Sequence, residues 1–102
     1  MLGEIKIEEK IKSAIQKLVN HLIAFESEGW VKLLRTHQDA FEENDFSSAP
    51  ELNELLSSYE YSDLLLTHKW KAEEEMDKRE MLNANKLKNS LACELQEFLK
   101  QL

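Results

Sequence analysis

Apolar side chains recur at intervals of three and four residues along the first quarter of the chain. These intervals place side chains on one side of an α-helix, because a turn takes about 3.6 residues. We therefore predict an amphipathic first helix. We expect it to stop at Gly29, since glycine readily adopts the left-handed conformation that follows many helix ends. The apolar positions are Ile7, Ile11, Ala14, Ile15, Leu18, Val19, Leu22, Ile23 and Phe25.

A second stripe with the same period predicts a second helix, with Asn44 as its stop and residues 45–48 as a loop. The stripe consists of Trp30, Leu33, Leu34, His37 and Phe41. Ser48 and Glu51 are spaced as in a capping box, and Pro50 suits a first helical turn. A short third helix should follow, with Leu52, Leu55, Leu56 and Tyr59 directed inward.

Ser62 or Asp63 can cap a fourth helix that opens with leucines and has a highly charged middle. We predict that it continues to the C-terminus, either as one helix or as two helices divided near Asn83–Asn85. Its final part carries an apolar stripe that packs in the core or pairs with a second chain. This stripe contains Leu87, Leu91, Leu95 and Phe98.

The fold class follows from these periods and from the scarcity of turn residues. Glycine occurs twice and proline once, whereas hairpins and sandwich corners need such residues. A chain of 102 residues has the size of one domain. We predict a single all-α domain over residues 1–102, built as a small bundle of four or five helices.

Acidic residues are concentrated in one region. Residues 26–63 contain ten acids and two bases, a net charge of −8, whereas the remaining residues sum to +1. This distribution disfavours nucleic acid and anionic lipid and favours a basic protein partner. The acids of the candidate partner-binding region are Asp39, Glu42, Glu43, Asp45, Glu51, Glu54, Glu60 and Asp63. Within it, Tyr61 is the candidate anchor, since aromatic residues ringed by polar ones often anchor interfaces.

Catalytic and metal-binding patterns are missing from the sequence. Leucines precede His21, His37 and His68 by three residues, so the Glu-x-x-His motif of four-helix metal sites does not occur. The single cysteine, Cys93, has neutral or acidic helical neighbours that do not favour a thiolate, and we expect it to be buried. Phe46 and Tyr59 are expected in the core. We predict no enzymatic activity, no metal and no cofactor.

The sequence also indicates the cellular compartment of the protein. One cysteine permits no internal disulfide, which fits a reducing compartment. The longest uncharged stretch around the apolar peak, residues 18–25, is far shorter than the roughly 20 residues that span a bilayer. The first residues do not have the pattern of a signal peptide. We expect a cytoplasmic protein.

The segment from Phe25 to Leu66 resembles a family of small, uncharacterised bacterial helical domains, some of them suspected immunity proteins of toxin systems. The residues that carry the resemblance are Trp30, Leu34, Asp45, Leu55, Leu56, Tyr59, Ser62, Asp63 and Leu64. The resemblance implies an interaction role without catalytic residues. The sequence thus supports an immunity or inhibitor protein that covers a basic toxin or nucleic-acid enzyme. The alternative is a structural or adaptor protein that forms homodimers through its C-terminal helix.

Overall fold

The computed structural model describes residues 6–25, 28–62, 64, 66 and 77–102. These residues form helices and no strand, which confirms the predicted all-α bundle. The described helices are α1 (Ile7–Ala24), α2 (Glu28–Glu42), α3 (Ala49–Leu56), α4 (Tyr59–Ser62) and α5 (Lys78–Leu99). None of these helices is both long enough and apolar enough to cross a membrane. The predictions that concern Asp63 and His68 fall outside the described residues.

Helix α1 is the centre of the bundle and packs against both α2 and α5, while α3 packs against α5 and α4. The predicted stripe forms its buried side, which consists of Ile11, Ala14, Ile15, Leu18, Val19 and Leu22. Helices α1 and α5 are antiparallel: the Lys10 ammonium lies 5.9 Å from the centre of the Phe98 ring at one end. At the other end, His21 Nε2 donates to the Ala84 carbonyl oxygen at 2.9 Å.

The boundary between α1 and α2 differs from the prediction. Helix α1 ends at Ala24, where the Phe25 amide donates to the Leu22 carbonyl at 3.2 Å. Gly29 is therefore not a stop but lies in the first turn of α2, which begins at Glu28. A Cβ at Gly29 would meet no atom within 4 Å, so packing does not require glycine there.

The end of α2 confirms Asn44 as a helix stop. Its φ is 62°, the left-handed conformation that asparagine tolerates better than most residues. The Asn44 amide donates to the Phe41 carbonyl and the Asp45 amide to the Ala40 carbonyl, both at 2.9 Å. These two bonds form a Schellman motif, which satisfies carbonyls that the helix end would leave unpaired.

Ser48 precedes α3 as predicted, but it does not act as a side-chain cap. Its hydroxyl is instead hydrogen-bonded to Nδ1 of His37, at 2.9 Å, and therefore joins α2 to the start of α3. The capping box predicted from Ser48 and Glu51 is thus wrong. His37 is 8% exposed, and the hydroxyl satisfies its buried ring nitrogen, a stronger need than that of an exposed helix end.

Helix α5 confirms the predicted long C-terminal helix, but neither its predicted start near Ser62 nor its division near Asn83–Asn85. Leu64, Leu66 and Asp77 are not helical, so no single helix runs from Ser62 to Leu102. The helix passes unbroken through Asn83–Asn85 and starts after Asp77, whose carboxylate accepts from the Glu80 amide at 2.8 Å. This is ordinary N-capping by aspartate.

Asn85 shows why a helical asparagine need not mark a break. Its side-chain oxygen accepts from the Leu66 amide at 2.9 Å, and its nitrogen donates to the Leu66 and Met81 carbonyls at 3.3 and 2.8 Å. Leu66 itself is 1% exposed. Asn85 therefore fixes the non-helical backbone at Leu66 against α5.

Candidate interaction surface

The last turn of α2 and the three residues that follow it carry a dense set of exposed carboxylates, which we call the acidic end of α2. Its members are Asp39, Glu42, Glu43 and Asp45. The last turn of α2 contains no basic residue. Because a helix C-terminus already carries partial negative charge, these carboxylates lie at the electrostatically unfavourable end of the helix.

Asp45 is held in a defined geometry. Its carboxylate accepts from the Ser47 hydroxyl at 2.7 Å and from the Ser47 amide at 3.1 Å. The hydroxyl bond first, and the amide bond second, hold the pKa of Asp45 below its ordinary value. Both bonds favour the ionised form of the Asp45 carboxyl.

The loop behind the acidic end is fixed by packing. The Phe46 ring stacks on Phe41 with a centroid distance of 5.0 Å and an interplanar angle of 15°. Phe41 is fully buried, and Phe46 is half-buried, as predicted for a packing residue. The His37–Ser48 hydrogen bond secures the far side of the loop. The acidic end therefore lies on a well-anchored segment of backbone.

A depression of about 400 Å³ adjoins the acidic end and brings further acids from α1. Its lining consists of Lys6, Glu8, Glu9, Asn44 and Phe46. Lys12 lies nearby, but its ammonium bonds to the Asn44 side-chain oxygen at 3.1 Å and pairs with Glu9 at 3.6 Å. Sequence reasoning missed Glu8 and Glu9, because only the folded chain brings the first turn of α1 beside Asn44.

The remaining predicted acids are exposed on α3 and α4. Glu51 and Glu54 lie on α3, and Glu60 lies on α4. In the described part of the chain, neither these three carboxylates nor those of the acidic end form an ion pair. The exposure of seven predicted acids agrees with an acidic surface, and Asp63 lies outside the described residues.

Tyr61 is not a surface anchor, contrary to the prediction. It is 2% exposed, and its ring meets Trp30 edge to face at a centroid distance of 5.1 Å. Its hydroxyl donates to the Lys88 carbonyl at 3.0 Å. Desolvation by burial raises the pKa of the Tyr61 phenol, and the charge of Cys93 acts in the same direction.

Lys88 completes this buried polar junction between α4 and α5. Lys88 is 1% exposed, and its ammonium donates to the Tyr61 carbonyl at 2.9 Å and to the Leu64 carbonyl at 2.6 Å. The ammonium also lies 4.8 Å from the centre of the Tyr61 ring. Charged side chains are almost never buried unless they are paired in this way.

Tyr59 is the aromatic side chain that the surface does present. It is 77% exposed, whereas we expected it in the core. The prediction extended the α3 stripe by three residues from Leu56, but α3 ends there. Ser58 starts α4 instead: its hydroxyl accepts from the Tyr61 amide at 3.3 Å and donates to the Leu55 carbonyl at 2.6 Å. Because a new helical turn starts at Ser58, the residues after it point in other directions than a continued α3 would give them, and Tyr61 points into the core.

The predicted C-terminal stripe divides between core and surface. Leu95 is fully buried, Leu91 and Phe98 are half-buried, and Leu87 is 47% exposed. Cys93 is exposed, and our prediction that it is buried is wrong. Cys93 lies two positions before Leu95 on α5, so its side chain points about 160° away from that of the buried Leu95.

The described residues contain no group of three histidine, cysteine, aspartate or glutamate side chains that could hold a metal ion. His37 is buried and Ser48 is half-buried, and their hydrogen bond joins α2 to the start of α3. No family model, curated protein or solved structure matches this chain.

Proposed function

We propose that this protein is a non-catalytic binding protein of the immunity or inhibitor type. It covers a basic surface of a macromolecular partner, a toxin or a nucleic-acid enzyme, with the acidic end of α2. The observation that carries the proposal is the exposed position of Asp39, Glu42 and Glu43, without ion pairs to described residues, at the end of α2 where a negative charge is least favourable for the helix.

The charge of the acidic end of α2 affects how fast the protein meets a partner and which partners it accepts. Carboxylates near a helix C-terminus lose roughly 0.3–1 kcal/mol each relative to neutral or basic residues. Opposite potentials on two proteins speed their encounter and exclude partners of the wrong charge. A binding function therefore accounts for charges that folding does not favour.

The shape of the surface adds to this argument. The depression beside Asn44 can receive a basic side chain against Glu8 and Glu9 of α1. Tyr59 and Glu60 lie near the opposite end of α2, because Tyr61 of the same turn packs on Trp30. An interface of about 800 Å² on each partner is wide enough to include Tyr59 as an apolar contact.

The proposal extends to the compartment. An exposed thiol at Cys93 would be open to oxidation outside a reducing environment. We therefore place the protein in the cytoplasm, where an immunity protein would meet its toxin.

Affinity capture from the source cells tests the proposal with a matched pair of variants. Glu42→Lys/Glu43→Lys reverses two charges of the acidic end. Glu28→Lys/Glu97→Lys makes the same change of net charge at two exposed acids elsewhere. We expect wild type and the control to retain one basic protein at low salt, and the acidic-end variant to lose it.

With the partner in hand, the acidic-end variant should associate roughly tenfold more slowly at low salt, with a weaker salt dependence. Equal capture by all three proteins, or capture that rising salt does not weaken, would contradict the proposal.

A further inference from the structure

Helices α1 and α5 share an outer face that the core does not use. The antiparallel pair forms an open groove of about 500 Å³. Lys10, Ser13 and Lys17 line it from α1, and Glu94 and Phe98 line it from α5. None of the four acids of the acidic end of α2 lines the groove, although Glu9 lines both the groove and the depression beside Asn44.

An apolar stripe runs along the α5 side of this face. Leu87, Leu91 and Phe98 are spaced by four and seven residues, which keeps them on one side of the helix. Leu87 is 47% exposed, and the other two are half-buried against the core. An apolar stripe flanked by polar groups is typical of a protein–protein contact.

The charges of the groove are suited to a self-complementary contact. Its lining contains two acids, Glu9 and Glu94, and two bases, Lys10 and Lys17. The face is thus locally neutral in a chain with a net charge of −7. A highly charged partner gains little from such a face, whereas a two-fold pair of identical chains needs both signs within one patch.

The extent of the face suits the same occupant. Helix α1 has 18 residues and spans roughly 27 Å, and two packed helices are together about 20 Å wide. The resulting area of roughly 540 Å² on each copy, about 1,080 Å² in total, is just above the ~1,000 Å² that a specific interface needs.

We infer that a second copy of this chain docks on the α1–α5 face and forms a two-fold symmetric homodimer. The apolar stripe of Leu87, Leu91 and Phe98 supplies the buried contact, and acids of one copy meet lysines of the other across the groove. This interface leaves the acidic end of α2 of both copies available.

Sedimentation velocity on the full chain, from about 10 µM to about 1 mM, tests the dimer. Wild type should dimerise over this range. Leu87→Glu should raise the dissociation constant roughly tenfold or more, since it places a charge in the apolar contact. Leu82→Glu is the matched control: Leu82 is 64% exposed and lies about 140° around α5 from Leu87. It should leave the dimer unchanged.

A charge-swap pair gives a readout that a folding defect cannot imitate. Glu9→Lys/Glu94→Lys makes the groove wholly basic, and Lys10→Glu/Lys17→Glu makes it wholly acidic. Each variant alone should be monomeric, and an equimolar mixture should restore the dimer. A circular dichroism spectrum of each variant verifies its helical fold.

A wild-type chain that stays monomeric at about 1 mM would overturn the inference. So would equal weakening by the Leu82 and Leu87 variants, or a mixture of charge-swap variants that does not associate. Glu42→Lys/Glu43→Lys should dimerise as wild type does. Failure of this inference and failure of the proposed function are therefore seen in different variants.

Discussion

Lys88 and the acidic end of α2 are charged regions with opposite surroundings. The ammonium of Lys88 is buried and donates to two carbonyl oxygens. The carboxylates of the acidic end are exposed and form no ion pair with the described residues. A charge that the fold requires is recognised by its hydrogen bonds. Asp39, Glu42 and Glu43 oppose the helix dipole and have no ion pair with the described residues, and we propose that they serve binding.

The largest effect is expected from Lys88. Lys88→Ala should lower the free energy of unfolding by about 3–5 kcal/mol, because it removes a buried stem and leaves two carbonyls without their donor. Lys88→Met keeps most of the stem and should cost about 1–3 kcal/mol. Urea denaturation at neutral pH measures both values. A Met variant as stable as wild type would show that the fold does not need the charge.

A smaller effect is expected from the partner of Lys88. Tyr61→Phe removes the hydrogen bond to the Lys88 carbonyl and should cost about 1 kcal/mol at neutral pH.

The pH dependence of stability makes this test sharper. Burial raises the pKa of Tyr61 in the folded chain, so the folded state holds its proton more tightly than the unfolded state. Stability should therefore fall as the pH rises above about 10, where an unfolded tyrosine ionises. Thermal unfolding at several alkaline pH values should show this fall in wild type and in Tyr59→Phe, and a weaker one in Tyr61→Phe. Identical alkaline profiles would contradict it.

The smallest effect has the opposite sign. Glu42→Lys/Glu43→Lys should raise the free energy of unfolding by roughly 0.3–1 kcal/mol for each residue, because lysine suits a helix C-terminus. The matched control is Glu28→Lys in the first turn of α2, which should destabilise by a similar amount. Thermal unfolding at low salt separates the two signs. If reversal at the acidic end weakens the fold, the acids serve stability and the comparison with Lys88 fails.

Periodicity predicted most of the fold. The stripe of α1 became its buried side, and Asn44 ended α2 as expected. The exposure of the acids also follows from sequence, because unpaired carboxylates are rarely buried.

The positions that were predicted wrongly are those where a polar side chain has a choice of hydrogen-bond partners. Ser48 can bond a helix end or a histidine, and only the tertiary contact with His37 decides between them. Likewise, Ser58 starts a new turn after α3 and exchanges the environments of Tyr59 and Tyr61. Ser58, two residues after the end of α3, was the signal for a new helix start. Tyr59 also fits the apolar period of α3, and that fit led to the wrong prediction.

The packing of α1 on α5 has a consequence for synthesis of the chain. Leu99 follows Ala24 by 75 residues, so at ribosomal rates of about 5–20 residues per second α5 is completed about 4–15 s after α1. Helices α1 and α2 are neighbours in sequence and can pair early, as local contacts form quickly. Until α5 arrives, Ala14 and His21 on the second side of α1 face chaperones and proteases. Translation speed between the two helices therefore sets how long the nascent chain is exposed to them.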